Sequence, residues 1–123
     1  MKILYLGIFG GAGCIARYLV SGLVYNLAGR ALPYGTLAVN VVGSLLLGLI
    51  MEGSLRSTLL SPDLRFGLTV GFMGGFTTFS TFSYETVKLL EEGSLLAAGA
   101  NILLNVTVCI VAALVGIYLA RQM

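Results

Sequence analysis

The run Gly71-Phe72-Met73-Gly74-Gly75-Phe76-Thr77-Thr78-Phe79-Ser80-Thr81-Phe82-Ser83 carries most of the chemistry in this sequence. Thr77, Thr78, Ser80, Thr81 and Ser83 supply uncharged hydroxyl donors. Phe79 and Phe82 stand three apart, so a helix puts them on one face. An aromatic ring is positive at its edge, and that edge can lean on an anion. Asn40 adds an amide donor from another part of the chain. Arg17 is the one fixed positive charge deep in an apolar run, and it reads as a structural or field-setting charge before a pore-lining one. No carboxylate falls in the middle of such a run; Glu52 and Glu85 come near the ends, where water reaches them. A proton-driven cation pump exchanges its substrate against a buried acid. The inventory therefore favours an anion over a cation.

Composition names the solvent that surrounds these groups. The chain is 58% hydrophobic and only 10% charged, with a mean hydropathy of +1.00, whereas a soluble domain carries about 25% charged residues. So few charges cannot coat a water-facing surface, and the partner of most of the surface is membrane lipid. The net charge is +2 and the basic residues are scattered, which excludes a nucleic-acid patch. Cys14 and Cys109 lie in apolar runs and read as small core residues, not as a disulfide. With no histidine, neither a zinc site nor a catalytic triad can be assembled. The amino terminus resembles a signal peptide in charge alone. The apolar run continues past Arg17-Tyr18, so it reads as a retained span.

Four apolar stretches follow, at about residues 3–27, 36–51, 66–90 and 95–120, with turn chemistry at Gly29 to Gly35 and a polar loop from Ser54 to Arg65. At 1.5 Å per residue, four spans of about 20 residues fit with short loops to spare. The expected fold is all-α, a single four-helix transmembrane domain over residues 1–123. Its third helix is the odd one. Paired Gly74-Gly75 before β-branched Thr77-Thr78 make a poor helix interior. The expectation is that the stretch after Gly71 is unwound inside protein, where broken backbone is tolerated and freed carbonyls can hold a cation. The competing reading is that these hydroxyls bond their own backbone and the segment only packs. Asn101 and Asn105, four apart, read as interhelical hydrogen-bonding residues before pore residues.

If the spans alternate, Lys2, Arg56, Arg65 and Arg121 fall on one side, against Arg30 and Lys88 on the other. Such a weak bias permits both orientations. Two oppositely oriented copies would then pair about a two-fold axis in the membrane plane, as an antiparallel homodimer.

Taken together, Gly10-Gly11-Ala12-Gly13 with Arg17-Tyr18, Gly35-Thr36-Leu37-Ala38-Val39-Asn40 with Gly43-Ser44, and Gly74 through Ser83 make the sequence similar to the Fluc (CrcB) family of fluoride channels over essentially its whole length. The resemblance implies a dual-topology antiparallel homodimer with two fluoride pathways, passive export of fluoride, and a bacterial inner-membrane location as a multi-pass protein. It implies that Phe79 and Phe82 line the pore and that Asn40 is a pore polar group. Ser80, Thr81 and Ser83 would belong to the family's polar track. It further implies a structural Na+ ion held by the backbone carbonyls of Gly74 and Thr77. The fourth span departs from the pattern, with Cys109 where relatives often carry serine; Asn105 or Thr107 stands nearby. The alternatives are a small multidrug-resistance-type exporter, which needs a buried glutamate in the first span that this chain lacks, and a non-transporting membrane scaffold.

Overall fold

Three of the apolar segments are hydrophobic on all sides, as befits a helix that meets lipid and other helices rather than water. In the computed structural model, which describes residues 1–123, each forms one uninterrupted helix: α1 (Lys2–Ala28), α2 (Tyr34–Arg56) and α6 (Leu95–Gln122). All three are long and apolar enough to cross a membrane. The remaining stretch is divided. It comprises α3 (Pro62–Phe66), a π-helical segment Gly67–Phe72, α4 (Met73–Phe76) and α5 (Phe79–Glu91). Between α4 and α5 only Thr77 and Thr78 leave the helical region, with φ/ψ of −90/158° and −153/116°. The chain contains no strand.

Local chemistry sets the ends. Ser61 caps α3 by accepting from the Leu64 N–H at 3.2 Å, and Pro62, which has no N–H to satisfy, takes the first turn. Thr78 caps α5 by accepting from the Thr81 N–H at 3.2 Å. Gly29 and Gly93 turn the chain after α1 and α5 with φ of +82° and +78°, which L side chains rarely adopt.

The helices meet through glycines. α2 and α6 lie backbone against backbone: a Cβ on Gly48 would stand 2.5 Å from the Ala113 carbonyl oxygen, and one on Gly116 would strike the Leu45 carbonyl. α1 receives the π segment and α4 in the same manner, Gly13 against the Phe72 carbonyl and Gly75 against the Gly10 carbonyl, where a Cβ would lie 2.5 Å away. Small residues let backbones approach this closely where lipid offers no hydrophobic drive between helices.

This packing corrects the expected extent of unwinding. The backbone stays helical through Phe76, first as a wide π turn and then as a single α turn, and the extended part is two residues long. Gly71 and Gly75 are poor helix formers in isolation. Here their missing side chains are what lets the helix sit on α1, and that contact outweighs the propensity. The loop after α2 is also shorter than expected, because α2 runs to Arg56 and α3 begins at Pro62.

Candidate functional site

An extended dipeptide exposes backbone groups that a helix would have bonded, and each must find a partner when buried. Thr78 is buried. Its N–H donates to Asn40 Oδ1 at 2.8 Å, and its carbonyl accepts from Asn40 Nδ2 at 3.1 Å. One amide side chain from α2 thus holds both backbone groups of Thr78. The second Asn40 Nδ2 hydrogen goes to Asn105 Oδ1 on α6 at 3.1 Å. Both amide protons of Asn40 are therefore used within the chain, and its part in the site is to fix the break.

The carbonyls of Gly74, Gly75, Phe76 and Thr77 lose their helical donors as a consequence, and the diverted donors of the first and last can be traced. In an unbroken helix the Thr78 N–H would bond the Gly74 carbonyl and the Thr81 N–H the Thr77 carbonyl. The first N–H is taken by Asn40 and the second by the Thr78 hydroxyl. Gly74 is exposed, with open space where its Cβ would be. The Thr77 side chain turns back, its hydroxyl donating to the Met73 carbonyl at 2.8 Å.

Cavities flank the break on two sides. One, of about 400 Å³, is walled by Asn40, Ser44, Thr78, Phe79, Phe82 and Asn105, among others, with Cys109 also at its wall. The Phe79 and Phe82 ring centroids are 5.4 Å apart at 54°, so the rings do meet. They differ sharply in exposure: Phe82 is 8% exposed and Phe79 is 77% exposed on the isolated chain. The other cavity, of about 250 Å³, is bounded by Cys14, Arg17, Tyr18, Ser21, Thr36 and Thr81, with Thr78 again at its wall. Arg17 makes no ion pair within the chain. Opposite it, the Thr78 hydroxyl donates to Thr81 Oγ1 at 3.0 Å, so the Thr81 proton has no acceptor in the chain. Ser80 is exposed, its oxygen 3.4 Å from the Thr78 hydroxyl. A guanidinium facing the spare Thr81 hydroxyl proton across a small cavity is an environment for a small anion. Ser83 does not join them with a free proton, because its hydroxyl donates to the Phe79 carbonyl at 3.0 Å.

Glu85 stays in reach of water, lining a cavity with Arg30, Lys88 and Glu92, and the structure adds partners that the sequence did not indicate. It is half-buried and accepts hydrogen bonds from Tyr25 Oη at 2.8 Å and from the Thr36 hydroxyl, joining α5 to α1 and α2. No sequence signal could have paired residues so far apart. The fate of Asn101 and Asn105 was more legible, since their four-residue spacing sets them on one face of α6. Asn105 Nδ2 donates to Asn101 Oδ1 and to its carbonyl, at 3.0 and 2.9 Å. No group of three or more His, Cys, Asp or Glu side chains is placed to hold a metal.

A sequence profile described as "CrcB-like protein, Camphor Resistance (CrcB)" matches residues 4–117. The chain is 71% identical to the fluoride-specific ion channel FluC of Syntrophotalea carbinolica over 123 residues, the whole of both chains. It is 61% identical to that of Geobacter sulfurreducens over 121 residues, 98% of each. Against the FluC of Geotalea daltonii it is 61% identical over 119 residues, 97% of this chain and 96% of the relative.

Proposed function

This chain belongs to the CrcB family, and from that premise we infer that it is a fluoride-specific ion channel of a bacterial membrane, not an enzyme. The observation that carries the reading is end-to-end identity with proteins named for this activity. The small multidrug-resistance-type alternative is not favoured, because α1 contains no carboxylate.

The finer reading concerns how the chain is used. Residues 62–91 make a fourth crossing, broken in mid-membrane at Thr77-Thr78, which completes one four-helix domain over residues 1–123. Fluoride is small and strongly hydrated, and removing a charge from water without replacement costs many kcal/mol. Along the pathway the Ser80 and Thr81 hydroxyls and the edges of Phe79 and Phe82 stand in for that water, in the field of Arg17; Ser83 and Asn40 hold the backbone around them. Movement is passive, and export lowers fluoride in the cytoplasm, which places the protein in the inner membrane.

The active form is an antiparallel homodimer with two pathways. Two features support this: the weak sidedness of the Lys and Arg residues, and the exposed Phe79 ring at the rim of a mostly apolar cavity that Asn40 and Asn105 also line. A structural Na+ fits the same break. The Gly74 and Thr77 carbonyls lack helical donors, Gly74 is open to its surroundings, and neutral oxygens are the ligands that a hard monovalent cation takes. Bound there, the ion would offset carbonyl charge at the subunit contact.

The test is fluoride efflux from liposomes containing the purified protein, followed with a fluoride electrode after adding a potassium ionophore. Rapid fluoride release with no matching chloride release is expected. Well-inserted dimers that release no fluoride would leave only the scaffold reading.

A further inference from the structure

Asn40 holds the break, but what holds Asn40 lies deeper in the bundle. Its neighbour Asn105 gives both amide hydrogens to Asn101, one to the side-chain oxygen at 3.0 Å and one to the main-chain carbonyl at 2.9 Å. Asn101 is 2% exposed and lines none of the cavities around the break. Its own Nδ2 donates to Thr86 Oγ1 on α5 at 2.9 Å, and Thr86 donates to the Phe82 carbonyl at 2.8 Å. The hydrogen bonds run one way, from Asn40 through Asn105, Asn101 and Thr86 to Phe82.

The direction is dictated by the last member. A carbonyl can only accept, so the Thr86 hydroxyl must donate to it and keep a lone pair for Asn101. Asn101 must then point its NH2 at Thr86 and its oxygen at Asn105. Asn105 must point its NH2 at Asn101 and its oxygen at Asn40. Asn40 is left with its NH2 toward Asn105 and the Thr78 carbonyl, and its oxygen toward the Thr78 N–H. The orientation that the break requires of Asn40 is the one the buried chain imposes from its far end.

We propose that Asn101 is a positioning residue for conduction, which fixes the amide orientation of Asn105 and Asn40 and through them the extended conformation at Thr77-Thr78. Thr86 is its anchor on α5. The proposal rests on the channel reading above. Asn101 touches neither cavity, so it acts on the ion only through its neighbours.

The test uses the full-length protein in liposomes and in detergent. Wild type, Asn101→Leu, Thr86→Val and Thr86→Ser are compared in fluoride efflux and in site-resolved amide hydrogen exchange at Thr78. Asn101→Leu takes the acceptor from one Asn105 N–H and the donor from Thr86 Oγ1, while the main-chain carbonyl at that position still accepts the other Asn105 N–H; it is expected to slow efflux by about tenfold or more. It should also speed Thr78 exchange while leaving exchange in the α2–α6 glycine contact at Gly48 unchanged. Thr86→Val, which removes only the anchor, should move both readouts in the same direction by less, and Thr86→Ser should restore them. Wild-type efflux with unaltered flux and unaltered Thr78 exchange in Asn101→Leu overturns the proposal. Loss of Gly48 protection together with that at Thr78 also overturns it, because the residue would then be serving general packing. Failure of the wild type itself to release fluoride defeats the channel reading instead, while Thr78 exchange still judges the positioning role.

Discussion

On the α2–α6 side of the break, Asn40, Asn105, Asn101 and Thr86 satisfy one another, and no buried side-chain polar atom is left without a partner. On the α1 side, Arg17 has no ion-pair partner, Thr81 keeps a spare hydroxyl proton, and Ser80 is exposed. Both sides are polar at a depth where uncompensated polarity is costly. A closed network rigidifies a structure, whereas open donors wait for something that is not protein. The amides thus read as the frame and the hydroxyls with Arg17 as the path. Polar residue type alone does not separate the two roles; the separation comes from counting where each proton goes.

The largest test of that division is Asn40→Leu. It orphans the Thr78 N–H, the Thr78 carbonyl and Asn105 Oδ1, each worth about 1–3 kcal/mol when buried and unpaired. Fluoride efflux is expected to fall by about a hundredfold or more, since two or more such groups must be accommodated at once. Efflux within a factor of about three of wild type would show that the frame is not where the network places it.

The paired glycines give the next largest effect. A Cβ on Gly75 would lie 2.5 Å from the Gly10 carbonyl and 3.0 Å from the Cys14 N, both backbone atoms that cannot swing aside. Gly75→Ala is expected to destabilise the protein by about 1–3 kcal/mol, read as a lower denaturant midpoint. Gly74 has open space at its Cβ position. Gly74→Ala should leave the fold of the chain intact, and any loss it causes should appear as dissociation of the proposed dimer, measured by cross-linking at matched stability. Equal fold loss in both variants would argue against a subunit contact at Gly74.

How much of this was legible in the sequence differs between the two sides of the break. Composition pointed to lipid, and the apolar runs gave the three long helices to within a few residues at most ends. The density of hydroxyls and phenylalanines singled out residues 71–83, and the structure puts Phe79, Phe82, Ser80 and Thr81 around the extended dipeptide. What the sequence could not convey was where the helix stops. Gly71 to Phe76 looked unwound because propensity is a local quantity, whereas the contact with Gly10 and Gly13 of α1 that keeps them helical is tertiary. The partners of Glu85 were hidden for the same reason, Tyr25 and Thr36 being sixty and forty-nine residues away.

Arg17 sharpens the comparison from the open side. Replaced by Gln, it loses its charge but keeps much of its length, and the hydroxyls around it remain. Fluoride efflux is expected to fall several-fold, on the order of threefold to tenfold, with a larger difference at low ionic strength, where screening is weakest. A salt-independent effect would mean that Arg17 serves packing, through its apolar stem, rather than the field along the path.

The smallest effect should come from Thr107, which tests whether being a hydroxyl in the fourth span is enough. It lies on the exposed face of α6, outside the cavities at the break, and its hydroxyl donates to the Leu103 carbonyl of its own helix at 2.6 Å. A hydroxyl bonded back in this way contributes little to a neighbouring site, and its loss slightly relaxes its own helix. Thr107→Val is therefore expected to change fluoride efflux by less than about twofold, within the range of ordinary exposed substitutions. A larger fall, with stability intact, would move Thr107 into the path and would mean that the open side of the break extends across the proposed subunit contact onto α6. Unchanged efflux keeps the path at the break itself and leaves the exposed face of α6 outside it.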